Sequence, residues 1–173
     1  GRKTWDDADD QDGIRPSSVT FKLYADGVDT GKTATADASS NWKYKFEDLD
    51  KYKAGNVVTY TVKEASVNEY TAVQDGFNFT NKHTPYTRTV KVTKKWANDV
   101  AGDRPSSIKV RLMADGNEVA DKTVTPDANG DWKAEFDNLP VNKDGNKIKY
   151  TVKEDQVQDY TAAYTGDVDN GYI

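Results

Sequence analysis

The sequence contains no cysteine, one histidine and one methionine in 173 residues. Without cysteine there is no disulfide, so a covalent staple has to come from other chemistry. A lone histidine, His83, leaves no basis for a His-based zinc site or nucleophile triad within one chain. No apolar run approaches the roughly 20 residues of a membrane span, and no secretory leader is present, so an export signal would lie outside this segment. Basic clusters are missing as well: the net charge is -5 and no Lys/Arg stripe interrupts it, a poor match to nucleic-acid phosphates. No glycine loop suited to phosphates is present, and the composition calls for no cofactor and no metal.

What is present is written twice. RPSSVTFKLYADG (15–27) returns as RPSSIKVRLMADG (104–116), NWKYKFEDL (41–49) as DWKAEFDNL (131–139), and YTVKEASVNEYTA (60–72) as YTVKEDQVQDYTA (150–162). KTW at 3–5 likewise matches KKW at 94–96. Such a period marks tandem structural units. The expected division is repeat one at 1–83, a short linker at 84–87 within the polar stretch NKHTPYT, and repeat two at 88–173.

Within each repeat the apolar pattern has period two, the signature of strands. Val19, Phe21 and Leu23 alternate with Ser18, Thr20 and Lys22; Trp42, Tyr44 and Phe46 alternate with Lys43 and Lys45; Phe77, Phe79 and Asn81 share a face. Turn signals such as ADG at 25–27 and KAGN at 53–56 separate the runs. No helical stripe is found. Roughly seven short strands per repeat predict an all-β chain of two tandem Ig-like β-sandwiches.

The strand faces carry a puzzle. In RTVKVTKKW (88–96), Val90 and Val92 point inward, and Lys94 is in phase with them; Lys3 is its counterpart in repeat one. Tyr60 and Val62 place Glu64 inward, as Tyr150 and Val152 place Glu154. Asn81 follows Phe79 on the inward face of the last strand. A lysine, a glutamate and an asparagine thus converge on an apolar interior, which is costly unless they pair or neutralise one another. On alternation alone, a Lys–Glu ion pair at the sandwich edge with Asn81 ending a strand serves equally well.

KTWDD…DGIRPSSV, the NW…F…L strand, YTVKE and the closing FTN together resemble the B-type repeat of Gram-positive surface adhesins and pilin-like proteins, the Cna B-type domain. The resemblance spans nearly the whole chain, twice. It implies seven-stranded, prealbumin-like sandwiches serving as stalk units between an adhesive head and the cell wall. In that family a buried Lys and Asn can join in a spontaneous isopeptide bond assisted by a buried Glu. Carried over, the residues are Lys3 and Asn81 with Glu64 as acid/base in repeat one, and Lys94 with Glu154 in repeat two. The final strand of repeat two begins at GYI (171–173) and is expected to be truncated there, with the matching asparagine about one to three residues further on; Asn170 reads as a turn residue. Burial is expected to lower the lysine pKa and raise that of the glutamate, which would then hydrogen-bond and polarise the asparagine carbonyl. The chemistry is one self-crosslinking event, not enzyme turnover. Implied partners are neighbouring stalk or head domains of the same polypeptide and cell-wall peptidoglycan; the implied location is extracellular, at the bacterial surface, as a monomer.

The alternative is a ligand-binding module contacting a host protein or glycan. It would need exposed aromatics outside the repeat register, for which Tyr24, Tyr86 and Tyr164 are the candidates. Trp5, Trp42, Trp96 and Trp132 recur at matched positions and are expected in the core. The aspartate run after Trp5 does not fit an EF-hand calcium loop, because the first and twelfth ligand positions fall on Ala8 and Val19; it reads as a solvated acidic loop, with weak calcium binding as the alternative. His83 reads as a linker residue, and the Asn78-Phe79-Thr80 sequon as a chance match inside a strand.

Overall fold

A computed structural model describes all residues, Gly1–Ile173. The chain divides into two units, Gly1–Pro85 and Tyr86–Ile173.

Unit 1 contains β1 (Lys3–Asp6), β2 (Ser18–Ala25), β3 (Val28–Asp37), β4 (Tyr52–Lys53), β5 (Asn56–Val57), β6 (Tyr60–Glu64), β7 (Thr71–Asp75) and β8 (Asn78–Lys82). Two three-stranded sheets, β3-β2-β6 and β1-β8-β7, enclose its core. The alternation in β2 sends Val19, Phe21 and Leu23 inward, where they meet Val62 of β6, Ala36 of β3, Phe79 of β8 and Tyr44. Phe21 stacks on Tyr44 with ring centroids 3.9 Å apart. Each such side chain, fully buried, contributes about 1.5–3 kcal/mol of transfer free energy.

Unit 2 contains β9 (Thr87–Lys94), β10 (Ile108–Ala114), β11 (Asn117–Val124), β12 (Trp132–Pro140), β13 (Asn142–Lys143), β14 (Asn146–Lys147), β15 (Tyr150–Glu154), β16 (Gly166–Asp167) and β17 (Gly171–Tyr172). Sheet β11-β10-β15 faces sheet β12-β9-β17-β16. Val90, Val110, Leu112, Trp132, Phe136 and Tyr150 lead its core.

In both units the ADG signal becomes a two-residue hairpin. Asp26 and Gly27 have φ of 48° and 81°, Asp115 and Gly116 48° and 84°, the left-handed pair that matches strand twist. Each aspartate also accepts a backbone hydrogen bond, from Thr59 to Asp26 and from Lys149 to Asp115, both at 2.9 Å.

Two expectations change. The stretch 41–49 is a strand only in its second copy, where β12 runs antiparallel to β9. In unit 1 it makes a single bridge, Arg2↔Lys43, with backbone hydrogen bonds from Lys3 to Trp42 and from Tyr44 to Gly1 beside it. Its turn also falls on Asn41 and Trp42, with φ of 52° and 57°, whereas unit 2 turns at Gly130. Phe77 does not share the inward face of Phe79 and Asn81. It sits in the turn between β7 and β8 and is 49% exposed.

Candidate functional site

The site of unit 1 follows from strand register. β1 and β8 pair in parallel, with Lys3 opposite Phe79 and Trp5 opposite Asn81, so inward residues on the two strands lie close together. Glu64 reaches them from the facing sheet, at the end of β6, opposite Phe21 of β2. All three polar side chains lie inside: Lys3 is 2% exposed, Asn81 1%, and the Glu64 side chain 3%.

One carboxylate touches both partners. Asn81 Nδ2 donates to Glu64 Oε1 at 2.7 Å, and Lys3 Nζ lies 3.5 Å from Glu64 Oε2. Lys3 Nζ also donates to the Thr4 carbonyl at 3.2 Å and sits 4.2 Å from the centre of the Trp5 indole. Burial lowers the Lys3 pKa to about 8, against the opposing pull of the Glu64 charge and its hydrogen bond. A larger fraction of neutral amine at neutral pH follows, which is what a lysine nucleophile needs.

The asparagine faces the carboxyl by its nitrogen, not by its carbonyl as expected. Asn81 Oδ1 is buried and makes no hydrogen bond. A half-turn of the amide exchanges the two atoms, since both ends of the group fit the same space. In the orientation present, Glu64 lies beside the nitrogen that would depart.

Unit 2 repeats the ion pair without the amide. Lys94 Nζ lies 3.1 Å from Glu154 Oε2, with the two side chains 16% and 10% exposed. Both line a groove of about 150 Å³ together with Val92, Tyr164, Tyr172 and Ile173. β17 pairs in parallel with β9 at Tyr172↔Val92, and Asn170 is held in the preceding turn by the Asp167 carboxylate. No asparagine stands beside Lys94.

Several residues that sequence reasoning passed over surround the lysines. Asp7 is buried and takes Arg15 through Nη2 at 2.7 Å and Nε at 3.1 Å, plus the Tyr70 hydroxyl at 2.8 Å. Asp99, Arg104 and Tyr160 repeat this set in unit 2. The acidic run is therefore not simply solvated: Asp7 and Asp12 are buried, and their oxygens are used by protein partners. His83 is not a linker residue either. It is buried in unit 1, with Nε2 2.7 Å from Asp12 Oδ2 and Nδ1 3.0 Å from the Glu69 carbonyl. A signal for these residues did exist: Arg before Pro and Tyr before Thr-Ala recur in both repeats.

The tryptophans gather at the lysine end of each core. Trp5 meets Trp42 edge-on at 5.0 Å, and Trp96 meets Trp132 at 5.3 Å. Of the tyrosines outside the repeat register, Tyr24 lies under Lys63, Tyr164 accepts the Glu154 backbone N–H, and Tyr86 is 39% exposed. The sequon residue Asn78 uses its side-chain oxygen to accept the Arg2 backbone N–H.

Comparison with known proteins places this geometry. The profile of the Cna protein B-type domain matches residues 1–82 and again 90–173. A collagen adhesin of Staphylococcus aureus is 42% identical over 172 residues, covering 95% of this chain; the chain spans 14% of that adhesin's length. The crystal structure of two B repeat units of the collagen binding protein of Staphylococcus aureus superposes with a TM-score of 0.77 at 39% identity, over 96% of this chain and 46% of that one. Two profile matches that together cover nearly every residue, on two sandwiches with the same internal lysine–glutamate pair, show that the chain belongs to the Cna protein B-type domain family, as a tandem pair of its repeats.

Proposed function

We propose that the chain is a pair of stalk modules from a bacterial surface adhesin, and that unit 1 staples itself with a Lys3–Asn81 isopeptide bond. The observation that supports this reading is a single buried carboxylate, Glu64, in contact with both the amine and the amide. An ordinary ion pair needs no amide beside it.

The step runs as follows. Lys3 passes a proton to Glu64, leaving a neutral amine and a carboxylic acid. Nζ attacks the Asn81 side-chain carbon, forming the new C–N bond. The bond from that carbon to Nδ2 breaks, Glu64 hands its proton to the departing nitrogen, and the amine's second proton leaves through the same carboxylate, so one ammonia is released for one amide formed. The fold supplies proximity, which in favourable cases lowers a barrier by about 7–11 kcal/mol. The product ties β1 to β8, so tension arriving at the ends of the unit runs through a covalent bond instead of peeling strands apart. In this reading the modules work outside the cell as a monomeric spacer, carried by neighbouring domains of a polypeptide attached to peptidoglycan. The repeats are taken at 1–83 and 88–173. In unit 2 the same roles fall to Lys94 and Glu154.

The test is the intact mass of the purified chain followed by peptide mapping. A deficit of one ammonia, located in a branched peptide joining Lys3 to Asn81, is the expected result. A mass equal to that of the sequence would leave Lys3, Glu64 and Asn81 as a polar cluster and remove the staple from this reading.

A further inference from the structure

The loops that follow the first tryptophan of each unit differ in length and content, WDDADDQDGIRP at 5–16 against WANDVAGDRP at 96–105, yet they build the same contacts. In unit 1 the Asp7 carboxylate is gripped by two Arg15 nitrogens and by Tyr70. In unit 2 Asp99 is gripped at 2.7 Å and 2.9 Å by Arg104 and at 2.9 Å by Tyr160. Each tyrosine then meets the tryptophan edge-on, at 5.1 Å for Tyr70–Trp5 and 5.0 Å for Tyr160–Trp96. Each guanidinium lies on the same indole, 5.3 Å from the Trp5 centre and 5.4 Å from that of Trp96. The lysine lies against the same indole, at 4.2 Å for Lys3 and 4.5 Å for Lys94, beside the second tryptophan of each unit.

The indole itself has no polar anchor. Trp5 Nε1 and Trp96 Nε1 are both buried without a hydrogen-bond partner. A buried N–H left unpaired costs about 1–3 kcal/mol, and the cost recurs in both units. The ring's position is therefore set by what packs on it, and the Asp–Arg–Tyr set is the polar, geometrically fixed part of that packing. A bidentate Arg–carboxylate pair fixes both distance and plane, which a lone hydrophobic contact does not.

We propose that Asp7, Arg15 and Tyr70 are positioning residues for the crosslinking step: they hold the Trp5 indole against Lys3, so that the amine stays out of water and near Asn81. Asp99, Arg104 and Tyr160 hold Trp96 against Lys94 in the same way. The proposal rests on the Lys3–Asn81 reading above. None of the three residues touches the reacting atoms; they act through the ring. Charge does not add to this: Asp7 favours the charged amine by more than Arg15 disfavours it, so the set acts by holding the ring that keeps the amine buried, and burial is the largest influence on Lys3.

The test follows the reaction in time. The whole chain is recovered unfolded from inclusion bodies, refolded by dilution into buffers spanning about pH 6 to 10 around the lysine range, and sampled for loss of ammonia by intact mass. Tryptophan fluorescence and circular dichroism on the same samples separate folding from chemistry. Arg15→Met keeps an unbranched side chain and removes the charge and the fork. Its rate–pH profile is expected to move upward by about one unit, which makes the reaction about tenfold slower at neutral pH. Arg15→Lys, which keeps the charge, recovers part of the shift. Tyr70→Phe, a smaller change that preserves the ring, shifts the profile the same way by less, and it decides the question if Arg15→Met fails to fold. Folded variants that lose ammonia at the wild-type rate with the wild-type pH profile overturn the clamp and leave the crosslink standing. A wild-type chain that folds and never loses ammonia overturns the crosslink and the clamp together.

Discussion

Glu64 accepts the Asn81 amide hydrogen at 2.7 Å across the interior of unit 1, between two strands that belong to opposite sheets. The same carboxylate reaches Lys3 with its other oxygen. Three polar groups in an apolar core ordinarily cost stability unless each is satisfied, and here Asn81 Oδ1 makes no hydrogen bond while Glu64 Oε2 has only the 3.5 Å contact with Lys3. The arrangement is poor as a stabilising network and well suited as a reactant state. In the proposed reaction, forming the amide would remove the lysine charge and tie the asparagine carbon to β1, converting an expensive cluster into a link between strands.

Glu64→Gln tests that link most directly, since it keeps size and burial while removing the proton relay. The variant is expected to fold, to keep the full mass of its sequence, and to be less stable. By the chain-entropy relation used for disulfides, opening a loop of about 78 residues costs about 4.5 kcal/mol, to be read as a lower urea midpoint for unit 1. A variant that still loses ammonia would show that Glu64 is not the relay.

The inward direction of Lys3, Glu64, Lys94 and Glu154 was legible because a strand fixes which face each second residue takes, and the valines and tyrosines beside them marked the inner one. The repeat made that reading twice over. What alternation could not show was the partner of a loop side chain. Asp7 finds Tyr70 across 63 positions and Asp12 finds His83 across 71, and no local pattern encodes such distances. The strand expected at 41–49 failed for a related reason: alternation does not show where a turn falls, and unit 1 turns at Asn41 and Trp42, with φ of 52° and 57°, where unit 2 turns at Gly130.

Asp7 should make unit 1 acid-sensitive. Burial alone would push its carboxyl up, but the hydrogen bonds from Arg15, the Asp10 backbone and Tyr70 outweigh this and hold the pKa at about 2, down from 3.8. A folded-state pKa below the unfolded one contributes stability that is present above pH 3.8 and is lost as pH falls toward 2. The contribution is about 2 kcal/mol. Urea unfolding of wild type and Asp7→Asn from neutral pH downward checks this: the gap between them is expected to be widest at neutral pH and to close below pH 3.8.

Gly116 gives a clean test of backbone cost. Its φ is +84°, and a Cβ placed there meets nothing within 4 Å, so alanine would suffer conformational strain alone. Gly116→Ala is expected to destabilise unit 2 by about 1–2 kcal/mol. Gly102→Ala, at a position equally open but without a left-handed φ, should stay close to wild type. Thermal unfolding of the two variants side by side decides it; equal midpoints would mean that the hairpin turn rearranges without cost.

His83 should titrate above the ordinary histidine range despite its burial. Desolvation favours the neutral ring, yet the Asp12 carboxylate 2.7 Å from Nε2 and the Glu69 carbonyl at Nδ1 favour the protonated one, and the balance raises the pKa from 6.5. A histidine with a raised folded-state pKa contributes stability that is complete below pH 6.5 and is lost as pH rises through the folded-state value. Because His83 is the only histidine, its imidazole resonance is assigned without ambiguity and reports the midpoint directly. Wild type is expected to titrate above 6.5. In Asp12→Asn the attraction disappears while the burial remains, so the midpoint should drop below the ordinary value. If Asp12→Asn leaves the midpoint where it was, the carboxylate is not what holds the proton, and the raised midpoint has to be traced to the Glu69 carbonyl at Nδ1.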